Sequence, residues 1–453
     1  MVIRPEVPID AKRDAEFDRA FEFLSRVVDL RTADRLHPVG DNAVYTTSVV
    51  LWMLVYQRMN PDASLEAAVK ELIRAQPDLL PDNKRVREGL LSSNTGSYSQ
   101  ARKRLPYQAA EWFTNQVSQS LIYATKPSLE GRRVFLIDGT TITLAPTPKL
   151  REAFPPASNQ HGQAVFPVAL LTMAHELESG AALIPQVGAM YGENAVSETS
   201  LIHNLLWQMP VRSVVMADSG YGIFAVAHEA SSAGHAFVLR LTKQRFNALK
   251  RKARLVSSGD RVNVWSHVWV PSKDDRKSHP DIPENAALKI TLHEVVISDT
   301  LTLWLVTDLT SDSDTLADLY KKRVDIEIDI RNFKVVLDAE HIRARSVEMF
   351  FKELLASIVS YNLVTQFRRQ AAELANVSPR RLSFKRTWTT FRVFLLSEMH
   401  TDAANWRKQY RIGLTYATMD KLPNRPGRNY EREAYWQTSK SKGFKKRKPP
   451  PPK

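Results

Sequence analysis

Two short apolar runs, each ending at an aspartate, constrain the fold of this chain more than any other feature. The first, RRVFLIDGTTITLAP, ends its continuous apolar part at Asp138, and the second, VRSVVMADSGYG, ends at Asp218. Apolar runs of this length are typical of strands that are buried on both faces of a sheet. The first run then alternates, which predicts a second extended segment after Asp138. The sequence therefore predicts an α/β core in which two buried strands each end on a carboxylate.

Helical patterns flank this core on both sides, and a basic stretch broken by SKDDRKSHPDIPEN interrupts it. We expect Trp265 and Trp269 of this insertion to have core roles. No apolar run approaches the roughly 18 residues that a membrane span needs. The lack of cysteine excludes thiolate zinc sites and fits a protein of the reducing cytoplasm. We predict a helical region at 1–128, an α/β domain at 129–345 with a β-rich insertion at about 242–300, a helical region at 346–438, and a basic, proline-rich tail at 439–453.

The charge balance indicates a polyanionic partner. The chain has 63 Lys and Arg against 49 Asp and Glu, a net charge of +14, and nucleic acid is the commonest partner of so basic a protein. The basic tail KSKGFKKRKPPPPK could hold half of this excess, which is the alternative interpretation. In YSQARKRL, Arg102, Lys103 and Arg104 crowd one helical turn, as in a helix that meets phosphates. A solvated basic face explains those three residues equally well.

The segment YKKRVDIEIDIRNFK places three carboxylates at alternating positions. A helix start signal, SDSDT, precedes it, and the segment lacks Gly and Pro, so we predict a helix and wind it at about 100° per residue. Asp325 and Asp329 then fall away from the core and are predicted to face solvent. A surface ion pair of Arg323 and Glu327, worth about 0.3–0.5 kcal/mol, remains the alternative for the polar stripe. The residues of that stripe are Tyr320, Arg323, Glu327 and Lys334, and those of the buried stripe beside it are Ile326, Ile330, Phe333 and Leu337.

Asp138, Asp218 and Glu327 together indicate metal-dependent chemistry. An acid at the end of an apolar strand is costly unless it is solvated, paired or bound to metal. Carboxylate ligands suit Mg²⁺ or Mn²⁺, and two such ions about 3.5–4 Å apart act on both oxygens of a phosphodiester displacement. A basic protein with three such acids fits phosphoryl transfer on nucleic acid better than it fits a glycosidase or a protease.

The helix motif resembles the Tyr-x2-Arg-x3-Glu-x6-Lys signature of the DDE transposases of the bacterial insertion-sequence-four family. LIDGTT and MADSGYG precede it in the order that this family shows, and GSYSQARKRL is similar to the family's N-terminal region. The resemblance covers about residues 40–400. It implies an RNase H-like mixed-sheet catalytic core with a β-rich insertion, flanked by helical N- and C-terminal regions, and an activity of cut-and-paste transposition.

The resemblance also implies roles for regions and for single residues. The helical region at 1–128 would be the DNA end-binding domain, and the α/β domain at 129–345 would be the catalytic domain. Asp138, Asp218 and Glu327 would be the catalytic, metal-binding triad, with Mg²⁺ as the cofactor and Mn²⁺ as its substitute. Arg323 and Lys334 would contact DNA phosphates, and Tyr320 would do so or support the helix. The partner would be double-stranded DNA, both the terminal inverted repeats and the target, bound by a homodimer, with no membrane involved.

Two other functions remain open on the sequence. One is a catalytically inactive, domesticated transposase that acts as a DNA-binding protein, and retention of all three acids counts against it. The other is an RNase H-like nuclease that only hydrolyses DNA, which a strand-transfer assay would distinguish.

Overall fold

The N-terminal region is helical, as the sequence predicts. A computed structural model describes residues 11–60, 64–160, 162–423, 434–435 and 443–444. Side-chain caps begin two of these helices: Thr46 accepts a hydrogen bond from the N–H of Val49, and Ser64 accepts one from that of Ala67. The helices are α1 (Ala11–Val27), α2 (Arg31–Leu36), α3 (Thr47–Met59), α4 (Leu65–Ala75), α5 (Lys84–Arg87), α6 (Thr95–Arg104) and α7 (Tyr107–Tyr123).

A nine-stranded mixed sheet follows, in the order β5-β4-β1-β6-β7-β11-β10-β9-β8. β1, β6 and β7 are parallel to one another, and the other pairings are antiparallel. The strands are β1 (Val134–Thr143), β4 (Val168–Glu176), β5 (Gln186–Ala189), β6 (Val214–Ala217), β7 (Ala236–Arg240), β8 (Arg254–Ser258), β9 (Val262–Trp269), β10 (Leu288–Ser298) and β11 (Leu301–Thr307), and β2 (Ser158–Asn159) pairs separately with β3 (Gly162–Gln163). The helices between them are α8 (Pro148–Ala153), α9 (Ile202–Leu206), α10 (Phe224–Ser232), α11 (Lys243–Lys250) and α12 (Lys273–Ser278).

The prediction that a buried strand ends at Asp138 is wrong in one respect, because β1 continues to Thr143. Beyond Asp138 the strand keeps its antiparallel partner, with Asp138 opposite Met173 and Thr143 opposite Val168. Its parallel pairing with β6 ends one residue earlier, at Ile137 opposite Ala217. Asp138 therefore lies inside a strand, but at the point where that strand loses its neighbour on one side.

The insertion extends the core sheet and does not form a sheet of its own. β11 pairs with β7 of the core, and β10, β9 and β8 follow outward from it. Trp265 and Trp269 are buried there, against Phe246 and Phe224 respectively, with ring centroids 5.8 and 5.5 Å apart.

The C-terminal part is again helical and is organised around one long helix. α15 is buried along most of its length and packs against α3, α7, α16 and α17, so helices from both ends of the chain share one core. The helices are α13 (Ser313–Lys321), α14 (Asp325–Arg331), α15 (Val347–Leu374), α16 (Phe384–Phe391) and α17 (Ala403–Ala417).

The predicted fold class, a mixed-sheet α/β core with a β-rich insertion and helices at both ends, is confirmed. These elements form one compact unit, Met1–Asp420, and a second unit covers Lys421–Lys453. In the second unit β12 (Ala434–Tyr435) pairs antiparallel with β13 (Gly443–Phe444). The rest of the predicted basic tail, 439–453, lies outside the described residues. In the described part of the chain, no helix combines the length and the apolar character required to cross a membrane.

Candidate active site

The two strand aspartates come together because their strands are neighbours and parallel. Ile137 of β1 lies opposite Ala217 of β6, and each is followed directly by its aspartate. Asp138 accepts a hydrogen bond from the N–H of Gly139 at 2.9 Å, and Asp218 accepts one from the N–H of Gly220 at 2.8 Å. The structure thus places Asp138 and Asp218 side by side, at the carboxyl end of β6.

The guanidinium of Arg323 joins these aspartates to Glu327. Its Nη2 lies 3.1 Å from Oδ2 of Asp138 and 3.8 Å from Oδ2 of Asp218, and its Nη1 lies 2.7 Å from Oε1 of Glu327. The Arg323 side chain is only 16% exposed. Three carboxylates that lie 80 and 109 residues apart in sequence, namely Asp138, Asp218 and Glu327, therefore surround one cationic group.

The charge of Asp138 is sensitive to this arrangement. Burial raises the pKa of Asp138 above its ordinary value, while Arg323 and the N–H of Gly139 lower it. The carboxylates of Asp218 and Glu198 raise that pKa further, and the net effect is upward. A positive charge added beside Asp138 would favour the ionised form of its carboxyl group.

The helical segment that carries Glu327 is less regular than predicted. Asp312 caps α13 by accepting hydrogen bonds from the N–H groups of Asp314 and Thr315. A 3₁₀ turn, Lys322–Val324, then separates α13 from α14, and a π turn, Asn332–Val336, follows α14. Arg323 and Glu327 nevertheless face each other as the helical winding predicts, and the apolar stripe is buried as predicted.

Tyr320 and Lys334, the two outer members of the predicted polar stripe, have other surroundings. Tyr320 is buried, and this burial raises the pKa of Tyr320 to about 12 although Arg323 and Arg240 lower it. Lys334 lies in the π turn, with its Nζ 4.0 Å from Oε2 of Glu340. The structure therefore brings Arg323 and Glu327 to Asp138 and Asp218, whereas Lys334 pairs with Glu340 instead.

The prediction that Asp325 and Asp329 face solvent is wrong. Asp329 is completely buried and pairs with both terminal nitrogens of Arg380, at 3.1 and 2.8 Å. Asp325 is 18% exposed, and its Oδ2 lies 2.8 Å from Nε of the same arginine. The pairing fixes α14, and with it Glu327, to the chain before α16. The helical pattern of α14 cannot predict this contact, because it does not show that the segment with Arg380 packs against the face of α14 that carries Asp325 and Asp329.

Two further side chains approach the aspartates without any prediction from the sequence. Arg245 of α11 donates to the carbonyl oxygen of Ser219 at 2.8 Å and so holds the loop that follows Asp218. Glu198 lies against Gly139, and its Oε2 accepts a hydrogen bond from the hydroxyl of Tyr221 at 3.3 Å. The only sequence signal for Glu198 was a glycine directly after Asp138, which permits a close approach.

The three basic residues of α6 differ in the solvent exposure of their side chains. Arg102 is 14% exposed and forms an ion pair of 2.6 Å with Glu353 of α15. Lys103 and Arg104 are exposed at the end of the helix. Of the three, Lys103 and Arg104 are therefore available to a phosphate, and the charge of Arg102 is already balanced.

Comparisons with known proteins bear on this site. A model of the transposase DDE domain matches residues 129–363, just over half of the chain. No curated protein matches the sequence. A cryo-EM structure of the piggyBac transposase synaptic complex with hairpin DNA is similar, with 12% identity and a TM-score of 0.40, over 92% of this chain and 86% of that chain. The matched family range contains Asp138, Asp218, Arg323 and Glu327.

Proposed function

The chain belongs to the transposase DDE domain family, and on this premise we propose that it cuts DNA at the ends of a transposable element and joins them to a target. The observation that carries the proposal is that Asp138, Asp218 and Glu327 surround one cationic group. We further propose membership of the insertion-sequence-four family. The spacing of Tyr320, Arg323, Glu327 and Lys334 supports that finer assignment.

The three carboxylates suit a divalent cation by their chemistry. All the donors are oxygens, as Mg²⁺ and Mn²⁺ prefer, and all three already contact one positive charge. Among the described residues no group of three or more His, Asp or Glu side chains is arranged to hold a metal ion. The guanidinium of Arg323 lies between the three carboxylates. Bound ions would supply nucleophile activation and stabilisation of the leaving oxygen at a phosphodiester. Asp138, Asp218 and Glu327 would hold them.

Arg323 has a second role in this proposal. A guanidinium presents five N–H donors in a fixed plane and binds phosphate oxygens in pairs. With Asp138, Asp218 and Glu327 engaged as metal ligands, Arg323 would be free to donate to a DNA phosphate beside them. Lys334 contributes a further cation on the same helical segment, and buried Tyr320 supports that segment.

We propose that the N-terminal helices bind the terminal repeats through phosphates and that a homodimer holds two ends. The support for the phosphate contacts is the exposure of Lys103 and Arg104 at the end of α6. The homodimer rests on the resemblance of the motif to its family.

Removing these two charges should weaken end binding in a salt-dependent way. Each of Lys103→Ala and Arg104→Ala, in the full chain, should make the negative slope of log K against log salt less steep by about 0.9, because each phosphate contact releases counterions. A gel-shift titration of a labelled terminal repeat measures the slope. Lys408→Ala, which removes an exposed lysine of α17, is the matched control. Slopes equal to that of the control would place DNA binding elsewhere.

The whole proposal is tested with the purified protein, a labelled terminal repeat and a target plasmid in Mg²⁺. The DNA that flanks the gene gives the repeat, since inverted repeats with short direct duplications outside them mark the ends of the element. We expect cuts at the repeat ends and joined products in the plasmid. Cuts without joined products would indicate a nuclease that only hydrolyses, and binding without cuts would indicate an inactive, DNA-binding descendant.

A further inference from the structure

Glu198 occupies the space directly beside the strand that carries Asp138. It precedes a 3₁₀ turn, Thr199–Leu201, and its carbonyl oxygen accepts a hydrogen bond from Oγ1 of Thr172 in β4 at 3.0 Å. A Cβ atom added to Gly139 would lie 1.9 Å from Cδ of Glu198 and within 2.4 Å of both its carboxylate oxygens. The carboxylate of Glu198 therefore packs on the backbone of the residue after Asp138, where any side chain other than hydrogen would displace it.

Tyr221, in the loop that follows β6, orients this carboxylate. Its ring is buried, its hydroxyl donates to Oε2 of Glu198 at 3.3 Å, and its backbone N–H donates to the carbonyl oxygen of Asp218 at 3.2 Å. Glu198 thus contacts the residue after Asp138 and a side chain three residues after Asp218. Glu198 therefore bridges the two chain segments that carry Asp138 and Asp218, on which the proposed metal site is built.

The charge of Glu198 has no cationic partner within the described part of the chain, where no Lys, Arg or His nitrogen lies within 4.0 Å of it. The carboxylate of Glu198 is partly buried, accepts a hydrogen bond from the neutral Tyr221 hydroxyl and lies close enough to Asp138 for their charges to interact. The guanidinium of Arg323 is already shared by Asp138, Asp218 and Glu327. A cation brought to this edge of the sheet would stabilise all four acids at once.

We propose that Glu198 is a fourth carboxylate of the metal site, which Tyr221 orients and whose negative charge raises the affinity for divalent cations. This inference rests on the proposed function, because it assumes that Asp138, Asp218 and Glu327 hold a metal ion. Glu198 is placed here as a positioning and charge-supplying residue of that site.

The test measures Mn²⁺ binding to the full-length protein without DNA, by calorimetric titration, so that the result does not depend on cleavage. Glu198→Gln keeps the shape and can still accept from Tyr221, but it loses the charge. We expect the dissociation constant of Glu198→Gln for Mn²⁺ to be about tenfold higher than that of the parent, as loss of a supporting carboxylate around a metal typically makes it. Glu198→Asp, which keeps the charge, should stay within a few-fold of the parent. Tyr221→Phe, which keeps the charge but loses its orientation, should have a smaller effect than Glu198→Gln.

Glu193→Gln is the matched control, because it removes the same charge from an exposed position five residues earlier. Thermal melting checks that each variant is folded, and if Glu198→Gln is not, a loss of Mn²⁺ affinity in Tyr221→Phe carries the test. If Glu198→Gln binds Mn²⁺ like the parent while Asp138→Asn does not, Glu198 only fills space and the inference fails, with the proposed function intact. If the parent protein binds no Mn²⁺ and cuts no DNA, the proposed function fails as well.

Discussion

Replacing Glu327 by glutamine should reduce Mg²⁺-dependent cleavage of the terminal repeat by about 100-fold or more. Even a residue that only supports a metal ligand typically costs about 10–100-fold when it is removed, and Glu327 is placed as a ligand itself. Binding of the repeat should change little, because Lys103, Arg104 and Arg323 keep their charges. Arg323 also keeps its contacts with Asp138 and Asp218 in this variant. Cleavage and gel-shift assays on the same labelled DNA separate the two effects.

Asp318→Asn is the matched control for this variant. Asp318 lies on α13, two and a half helical turns before Glu327, and its side chain is 74% exposed in a surface pair with Lys321. It loses the same charge on the same helical segment, so its cleavage rate should stay within a few-fold of the parent. Normal cleavage by Glu327→Gln would remove Glu327 from the proposed triad, whatever the control shows.

Replacing Asp329 by asparagine should destabilise the folded protein by about 3–5 kcal/mol, the usual cost of breaking a buried ion pair by removing one partner. Asp329 is fully buried and binds both terminal nitrogens of Arg380, so the variant leaves that guanidinium with Asp325 alone. Thermal and denaturant unfolding of the purified proteins measure the change. Asp325→Asn should have a smaller effect, because Asp325 is 18% exposed and makes a single contact with Nε.

A double variant separates the ion pair from simple packing. Asp329→Asn combined with Arg380→Gln should cost less than the sum of the two single changes, because neither charge is then left buried and unpaired. Asp318→Asn again serves as the exposed control and should stay within about 0.5 kcal/mol of the parent. Full additivity of Asp329→Asn and Arg380→Gln would show that the pair is not coupled in the folded protein.

The parts of the site that follow from local patterns could be predicted from the sequence. The two short, continuously apolar runs followed by aspartate predicted two buried strands, and the structure then shows that these strands are parallel neighbours. The N-cap at Asp312 and the apolar stripe through Ile326 and Phe333 were enough to place Glu327 on a helix facing the core. The assignment of metal ligands to these positions stays a prediction.

The parts that depend on distant partners could not be predicted. Arg380 lies 51 residues after Asp329, so no helical winding can show that two apparently exposed acids are buried against it. The same holds for Glu198, which meets Gly139 only because β1 and the chain before α9 are folded together. The burial of α15 along most of its length is another case, because the helices that cover it come from both ends of the chain.

The central position of α15 has a consequence for how the protein is made. The helices α3 and α7 pack on α15, yet 224 residues separate Tyr123 from Val347. A ribosome that adds about 5–20 residues per second needs roughly 10–45 s to cover that distance. During this time the apolar faces of α3 and α7 that pack on α15 lack that partner. The nascent chain therefore completes its core only after Asp138, Asp218 and Glu327 have all been synthesised.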